Sequence, residues 1–166
     1  MSNRLELLSR RNQGRRMMDD YIQSLSVVTG IGQQILLEST LSLEESDVIY
    51  EEFISAIKSI ANNNYTDGFT KFFVKNSEGV EAHLANVTKF VINESRVYLF
   101  TKLSDVCGAI EADCDSIIPN IAAIIDYDGD SCKLVSQDLT RGIMIDFYIE
   151  NDNQEYFEFI AYHPSK

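Results

Sequence analysis

The residues with the most obvious capacity for chemistry stand together in one stretch, IAAIIDYDGDSC, Ile121 to Cys132. An apolar run there discharges into Asp126, Asp128 and Asp130 around Gly129. Carboxylates at alternate positions suit three roles. At the end of a strand, the first can attack a phosphoryl group while the second handles the leaving group's proton and Mg²⁺ balances the charge. In a tight loop, all three can surround a calcium ion. In a turn between two elements they need only face water.

The first role resembles the haloacid dehalogenase superfamily, whose strand ends in Asp-x-Asp-Gly-Thr; the resemblance implies Asp126 as nucleophile and Asp128 as acid/base. Position 130, however, is Asp in place of Thr, and the 36 residues beyond it read as hairpins. They are too few for the α/β fold that supplies the distant lysine and second acidic pair. The calcium loop fails at its sixth position, Ser131 where glycine makes the sharp turn, and at its twelfth, Gln137 where glutamate gives two oxygens. The turn explains the residues best. Ile117, Ile121, Ile124 and Ile125 recur at helical spacing, Asp115 or Ser116 can cap, and Pro119 is tolerable in a first turn. That helix is expected to end near Asp126, with Asp128-Gly129 turning the chain into a strand. A small metal-dependent phosphohydrolase using Asp126 and Asp128 is thus the alternative.

Other chemistry is thin. Cys107, Cys114 and Cys132 show no C-x-x-C spacing, and the chain holds only two histidines, His83 and His163. Neither zinc nor any other cofactor is expected, and the thiols read as small hydrophobes in a reducing compartment. Gly30 and Gly32 form a G-x-G without a third glycine, and no nucleophile elbow is present. The chain is not expected to be an enzyme.

The elements that must position these residues follow from periodicity. Met18, Tyr21, Ile22 and Leu25 form the stripe of a helix over 4–26, whose first half carries Arg4, Arg10, Arg11, Arg15 and Arg16, with Gly14 weakening the middle. Such arginines can form an RNA-binding arm; the stronger expectation is that they solvate the helix or clamp it on acidic parts of the same chain. An adaptor docking through this helix is a second alternative function. The run QQILLESTLS is too short for periodicity to settle. Ser42 and Glu45 then read as a capping box before a helix with Val48, Ile49, Phe53, Ile57 and Ile60 on one side. Asn62-Asn63-Asn64 and Asp67-Gly68 close that region. FTKFFV reads as a strand, Glu81 to Val91 as a helix and RVYLFTKL as a strand, while 105–115 stays unassigned. CKLVSQD, GIMIDFYIE and YFEFIAY, divided by short turns, read as an antiparallel meander. At 166 residues this is one α+β domain over 1–166, N-terminal helices followed by a mainly antiparallel sheet with a C-terminal β-meander.

The net charge of −12 is unevenly spread: residues 1–20 carry +2, 21–103 carry −4 and 104–166 carry −10. So acidic a body repels phosphate backbones and suits a basic protein partner. No apolar run approaches the roughly 20 residues of a membrane span, and the N-terminus lacks a signal peptide's apolar core. A cytoplasmic protein binding neither membrane nor nucleic acid is expected.

The pattern DYDGDSCKLVSQDLTRGIMIDFYIEN, after an apolar helix and behind an arginine-rich N-terminal helix, resembles small immunity proteins of bacterial polymorphic-toxin and contact-dependent growth inhibition systems. The resemblance covers residues 95–162 and, more loosely, the first 20. It implies a non-catalytic protein that neutralises a cognate basic toxin domain, commonly a nuclease, with tRNA-cleaving toxins among the candidates. The acidic sheet-rich part supplies candidates for the partner-binding surface: Asp126, Asp128, Asp130, Asp138, Asp146, Tyr148, Glu150 and Asp152, with Tyr127 and Tyr156 as further aromatic anchors. By strand alternation Asp146 and Tyr148 share an exposed face, while Ile145, Phe147 and Ile149 face the core.

Overall fold

The stripe of the first segment folds into helix α1, Arg4–Thr29, which buries Tyr21, Ile22 and Leu25 and runs past the expected end at Ser26. The computed structural model describes residues 4–62, 68–129 and 131–163; Asn63, Asn64, Asp67, Asp130 and the side chain of Ile60 lie outside them. Gly14 corrects the reading of α1. It is not a weak point but the residue that seats the helix, because a Cβ there would lie 2.0 Å from the carbonyl oxygen of Val106. Backbone therefore meets backbone where α1 crosses α5, Ser104–Cys107.

Two polar ties flank that crossing. The Arg10 guanidinium donates to both carboxylate oxygens of Asp47, at 2.9 and 2.7 Å, and to the carbonyl of Asp105 at 2.6 Å. Arg11 pairs with Glu44. Arg10 and Arg11 thus clamp the helix on its own chain, while Arg4, Arg15 and Arg16 are solvated, and the planar two-pronged geometry at Asp47 is the strong form of such a pair. On the other side, Thr101 Oγ1 donates to the buried Tyr21 hydroxyl at 3.1 Å, and Ser104 Oγ lies 3.3 Å from it.

The unsettled run 33–42 forms a short helix, α2, Gln33–Glu38. The capping box is present: Ser42 Oγ accepts the Glu45 amide at 3.2 Å, while the Glu45 carboxylate accepts the Ser42 amide at 3.0 Å. It opens α3, Leu43–Asn62. Phe53 is fully buried, with Ile49 and Ile57 packed beside it, but Val48 is 60% exposed and does not belong to the apolar face assigned to it. β1, Phe69–Lys75, leads to α4, Val80–Ile92, and then to β2, Arg96–Phe100. The unassigned segment after β2 holds α5, β3, Ile110–Asp113, and α6, Cys114–Ile117. A 3₁₀ turn, Ile118–Asn120, carries Pro119. α7, Ile121–Asp128, then ends at Gly129, whose φ of 90° is the left-handed conformation that glycine adopts without strain. Neither Asp115 nor Ser116 caps these turns; Asp113 occupies the first cap position and makes no side-chain bond there.

The meander is β4, Ser131–Ser136, β5, Gly142–Ile149, and β6, Glu155–Tyr162. With β1 added beyond β6 and the β2–β3 hairpin beyond β4, the described residues form six antiparallel strands in the order β1-β6-β5-β4-β2-β3. The fold is α+β, with N-terminal helices and a terminal meander. One sheet face, bearing Leu99, Leu134, Ile143, Ile145 and Phe159, packs with α1, α4 and α7 into the main core. The opposite face is half covered: α3 lays Phe53, Ile49 and Ile57 over Phe100, Val135 and Tyr162.

Gly14→Ala should lower unfolding stability by about 1–3 kcal/mol, the usual cost of overpacking, even though alanine gains roughly 1 kcal/mol of helix propensity. Urea denaturation reads the outcome as a lower midpoint at unchanged slope. A raised midpoint would mean that α1 does not sit on α5.

Candidate functional site

The half of the sheet that α3 leaves uncovered carries a side-chain cluster drawn from three strands. The strand register puts Phe73 opposite Glu158, Glu158 opposite Asp146, and Tyr156 opposite Tyr148. Tyr148 stacks on Tyr156 with ring centres 5.7 Å apart, and Phe73 meets Tyr148 edge-on at 6.1 Å. Lys71 pairs with Glu158 at 2.7 Å and lies 5.7 Å above the Phe73 ring. Phe73 remains 54% exposed. Cross-strand pairs of this kind are the ordinary means by which a sheet face organises itself without a covering layer.

Asp146 and Tyr148 therefore share the face expected of them, and Ile145 and Phe147 face the main core. Ile149 departs from the expectation. It is 58% exposed because it lies at the very end of β5, beyond the cover of the helices. Tyr127 is half-buried and packs against the main core, apart from the open face. Phe73 is the functional candidate that the sequence missed. Alternation in FTKFFVK puts Phe73 with Lys71 and Lys75, but nothing local indicates that β1 joins β6.

The remaining carboxylates divide between the two ends of the sheet. Glu150 and Asp152 occupy the β5–β6 turn, where Asp152 accepts the Gln154 amide at 3.0 Å. Asp126 and Asp128 close α7 at the same end, because β4 starts at once and pairs Ser131 with Asp146. Asp130 lies outside the described residues. Asp138 stands at the far end, in the β4–β5 turn, roughly 25 Å away by the rise of an eight-residue strand. It is employed there: Asp138 accepts the Thr140 amide at 2.9 Å and the Ser136 hydroxyl at 2.7 Å. Those bonds hold Leu139 at a φ of 60°, an unfavourable conformation for a residue with a side chain. The Thr140 amide first, then the Ser136 hydroxyl, hold the Asp138 carboxyl down at about 2, whereas burial and the Asp138 charge push Glu94 up.

Asp126 and Asp128 do not converge. They are two apart on a helix, and such positions do not face one another. Asp126 is exposed beside α4 and β6, while Asp128 accepts the backbone N–H of Lys102 at 2.6 Å and so ties α7 to the loop after β2. Among the described residues, no group of three or more His, Cys, Asp or Glu side chains is placed to hold a metal ion. The three cysteines are buried and unpaired; burial pushes Cys132 up to about 12 and Cys114 up to about 11, which disfavours the reactive thiolate. His83 lies edge-on to Phe159, with ring centres 6.5 Å apart. Of the five N-terminal arginines, Arg10 and Arg11 are engaged within the chain, which leaves Arg4, Arg15 and Arg16 exposed. No helix among the described residues is long and apolar enough to cross a membrane.

Asp138 gives a direct test of the turn. Its depressed carboxyl contributes stability that is complete above the ordinary value of 3.8 and is lost as the pH falls through about 2. A carboxyl ¹³C titration should place its midpoint near 2, and Asp138→Asn should remove that part of the acid dependence of unfolding. A midpoint near 4 would mean that the turn's hydrogen bonds do not persist in solution. No protein-family model matches this chain, and neither a curated protein nor a solved structure matches it.

Proposed function

We propose that this protein is the immunity component of a bacterial contact-dependent growth inhibition or related polymorphic-toxin system, acting in the cytoplasm by binding a cognate basic toxin domain, a nuclease. The observation that carries this reading is the uncovered aromatic cluster of Phe73, Tyr148 and Tyr156, with Asp146, Glu150, Asp152 and Glu158 around it. Aromatic side chains that expose a large, nearly rigid surface lose little entropy on contact and are the usual anchors of an interface. Carboxylates at its margin add attraction at long range and so act chiefly on the association rate. Binding is stoichiometric, and neutralisation follows from covering the toxin's substrate path. The likeness of residues 95–162 to such immunity proteins supports the same conclusion.

The test begins with the reading frame immediately upstream in the source genome. Its C-terminal domain is expressed inducibly with and without this protein, and growth is followed. Toxicity relieved by this chain, together with cleavage of RNA or DNA in unprotected cells, is the expected result. Toxicity that this chain cannot relieve removes the reading. With the toxin in hand, Tyr148→Ala combined with Phe73→Ala should weaken the complex at least about tenfold through faster dissociation. Asp146→Lys should mainly slow association, and less so in high salt. Asp128→Lys is unsuitable for the purpose, because Asp128 supports the fold through the Lys102 amide.

A further inference from the structure

Around the corner from the open sheet face, a groove of about 400 Å³ opens between the start of α4, the end of α7 and the β5–β6 hairpin. That volume lies within the roughly 300–1,000 Å³ typical of ligand clefts. Its floor is apolar: Ile125 and Phe157 are buried, with Val80, Ala122 and Phe147 half-buried beside them. The Phe147 and Phe157 rings lie 5.3 Å apart and tilted by 54°. Three exposed carboxylates from three separate elements stand among the lining: Glu81 in the first turn of α4, Asp126 in α7 and Glu155 at the head of β6. No lysine, arginine or histidine lines the groove among the described residues, and none of the three carboxylates forms an ion pair there. Asn76 donates to Glu155 from the groove's edge.

We infer that this groove receives an arginine side chain of a protein partner. The inference rests on the reading that this chain binds a basic protein, but not on that protein's being a toxin. The apolar floor and the acidic surroundings select the occupant together. A neutral aliphatic side chain would satisfy the floor and leave the acidic margin unanswered. A small cation would satisfy the charges and leave the floor wet. A side chain with an aliphatic stem and a delocalised cationic head does both, burying its methylenes while its head meets carboxylates. Arginine fits better than lysine, because its planar fork presents five donors to oxygens arriving from several directions and its face packs against aromatic rings. The groove lies at the same end of the sheet as Glu150 and Asp152, so one partner can reach both regions.

The test needs no cognate partner. N-acetyl-arginine amide is titrated into the full-length protein, and ¹H–¹³C NMR follows the Ala122 and Ile125 methyls and the Phe147 and Phe157 rings. Saturable shifts confined to these groups, in the range of about 1–50 mM expected of a single side chain, are the predicted result. N-acetyl-citrulline amide, the neutral isostere, should bind at least about tenfold more weakly, as should N-acetyl-norleucine amide. Glu81→Gln combined with Asp126→Asn should reduce the arginine affinity to that of citrulline, and Ala122→Leu should abolish binding by filling the groove; an unchanged spectrum elsewhere shows that each variant is folded. Equal binding of arginine and citrulline amides, or no saturable shift at these groups, overturns the inference whatever the growth assay shows. Arginine-selective binding without relief of toxicity leaves the groove standing and removes the toxin as its partner.

Discussion

The crossing of α1 over α5 at Gly14 is the constraint on which the arrangement of the other helices depends. There is no side chain between the two backbones, so the approach distance is fixed by the absence of a Cβ and cannot be relaxed by a rotamer. The segment from Thr101 to Gly108 is also where the two sides of the sheet are joined. α1 reaches it from the side of the main core, and Arg10 of α1 bridges it to α3, donating both to the Asp105 carbonyl and to Asp47. The buried Ser46 hydroxyl, which accepts the Ala109 amide at 2.9 Å, adds a second hold. Tethered there, α3 runs toward Tyr162, whose ring lies 5.9 Å from that of Phe53. A helix with its start fixed at the β3 side and its middle over the far end of β6 cannot also cover Phe73, Tyr148 and Tyr156. The open half of the sheet is thus a consequence of where the helices are pinned.

Much of this architecture could be read in advance because its signals are local. The Ser42–Glu45 box, the stripe ending in Leu25, and the short turns of the meander each involve residues a few positions apart, and the structure follows them. What could not be read depends on distance in sequence. Gly14 looks like a helix breaker until Val106, far along the chain, is seen against it. β3 is four residues long and owes its existence to pairing with β2, so 105–115 carries no periodicity of its own. Val48 and Ile149 satisfy the right patterns yet lie where no second layer reaches. Of the candidate site, the alternation of β5 correctly paired Asp146 with Tyr148 on one face. The partner ring of Phe73 came from a strand whose place in the sheet nothing local dictates. The groove between α4 and α7 was still less legible, its apolar floor being shared by α4, α7, β5 and β6.

The charge distribution changes meaning once folded. Residues 104–166 look like one acidic block, but several of their carboxylates have structural employment. Glu111 and Asp113 pair with Arg96, the Asp105 carboxylate lies 3.4 Å from Arg10, Asp128 takes an amide, and Asp138 organises a turn. Screening at physiological salt confines the influence of an exposed charge to about 8 Å. What a partner meets is therefore set by local groupings rather than by the sum, and Glu150 and Asp152 in the β5–β6 turn form one such grouping.

The two edges of the sheet are treated differently, and the difference bears on the open face. At β3 the connection from α2 to α3 covers the edge: Thr40 bridges to Ile110, and the Glu111 amide donates to the Ser39 carbonyl at 2.9 Å. At β1 the edge strand instead alternates Lys71 and Lys75 with Phe73, and charged residues on an edge are a common means of discouraging a second sheet from adding there. Lys71 does this while turned inward over Phe73 and onto Glu158, so its charge also guards the aromatic cluster. A protein under pressure only to remain soluble would gain by replacing Phe73 with a polar residue, since the ring contributes nothing to either core. An exposed aromatic outside both cores, placed among two tyrosines and fenced by charge, suits the docking face proposed above.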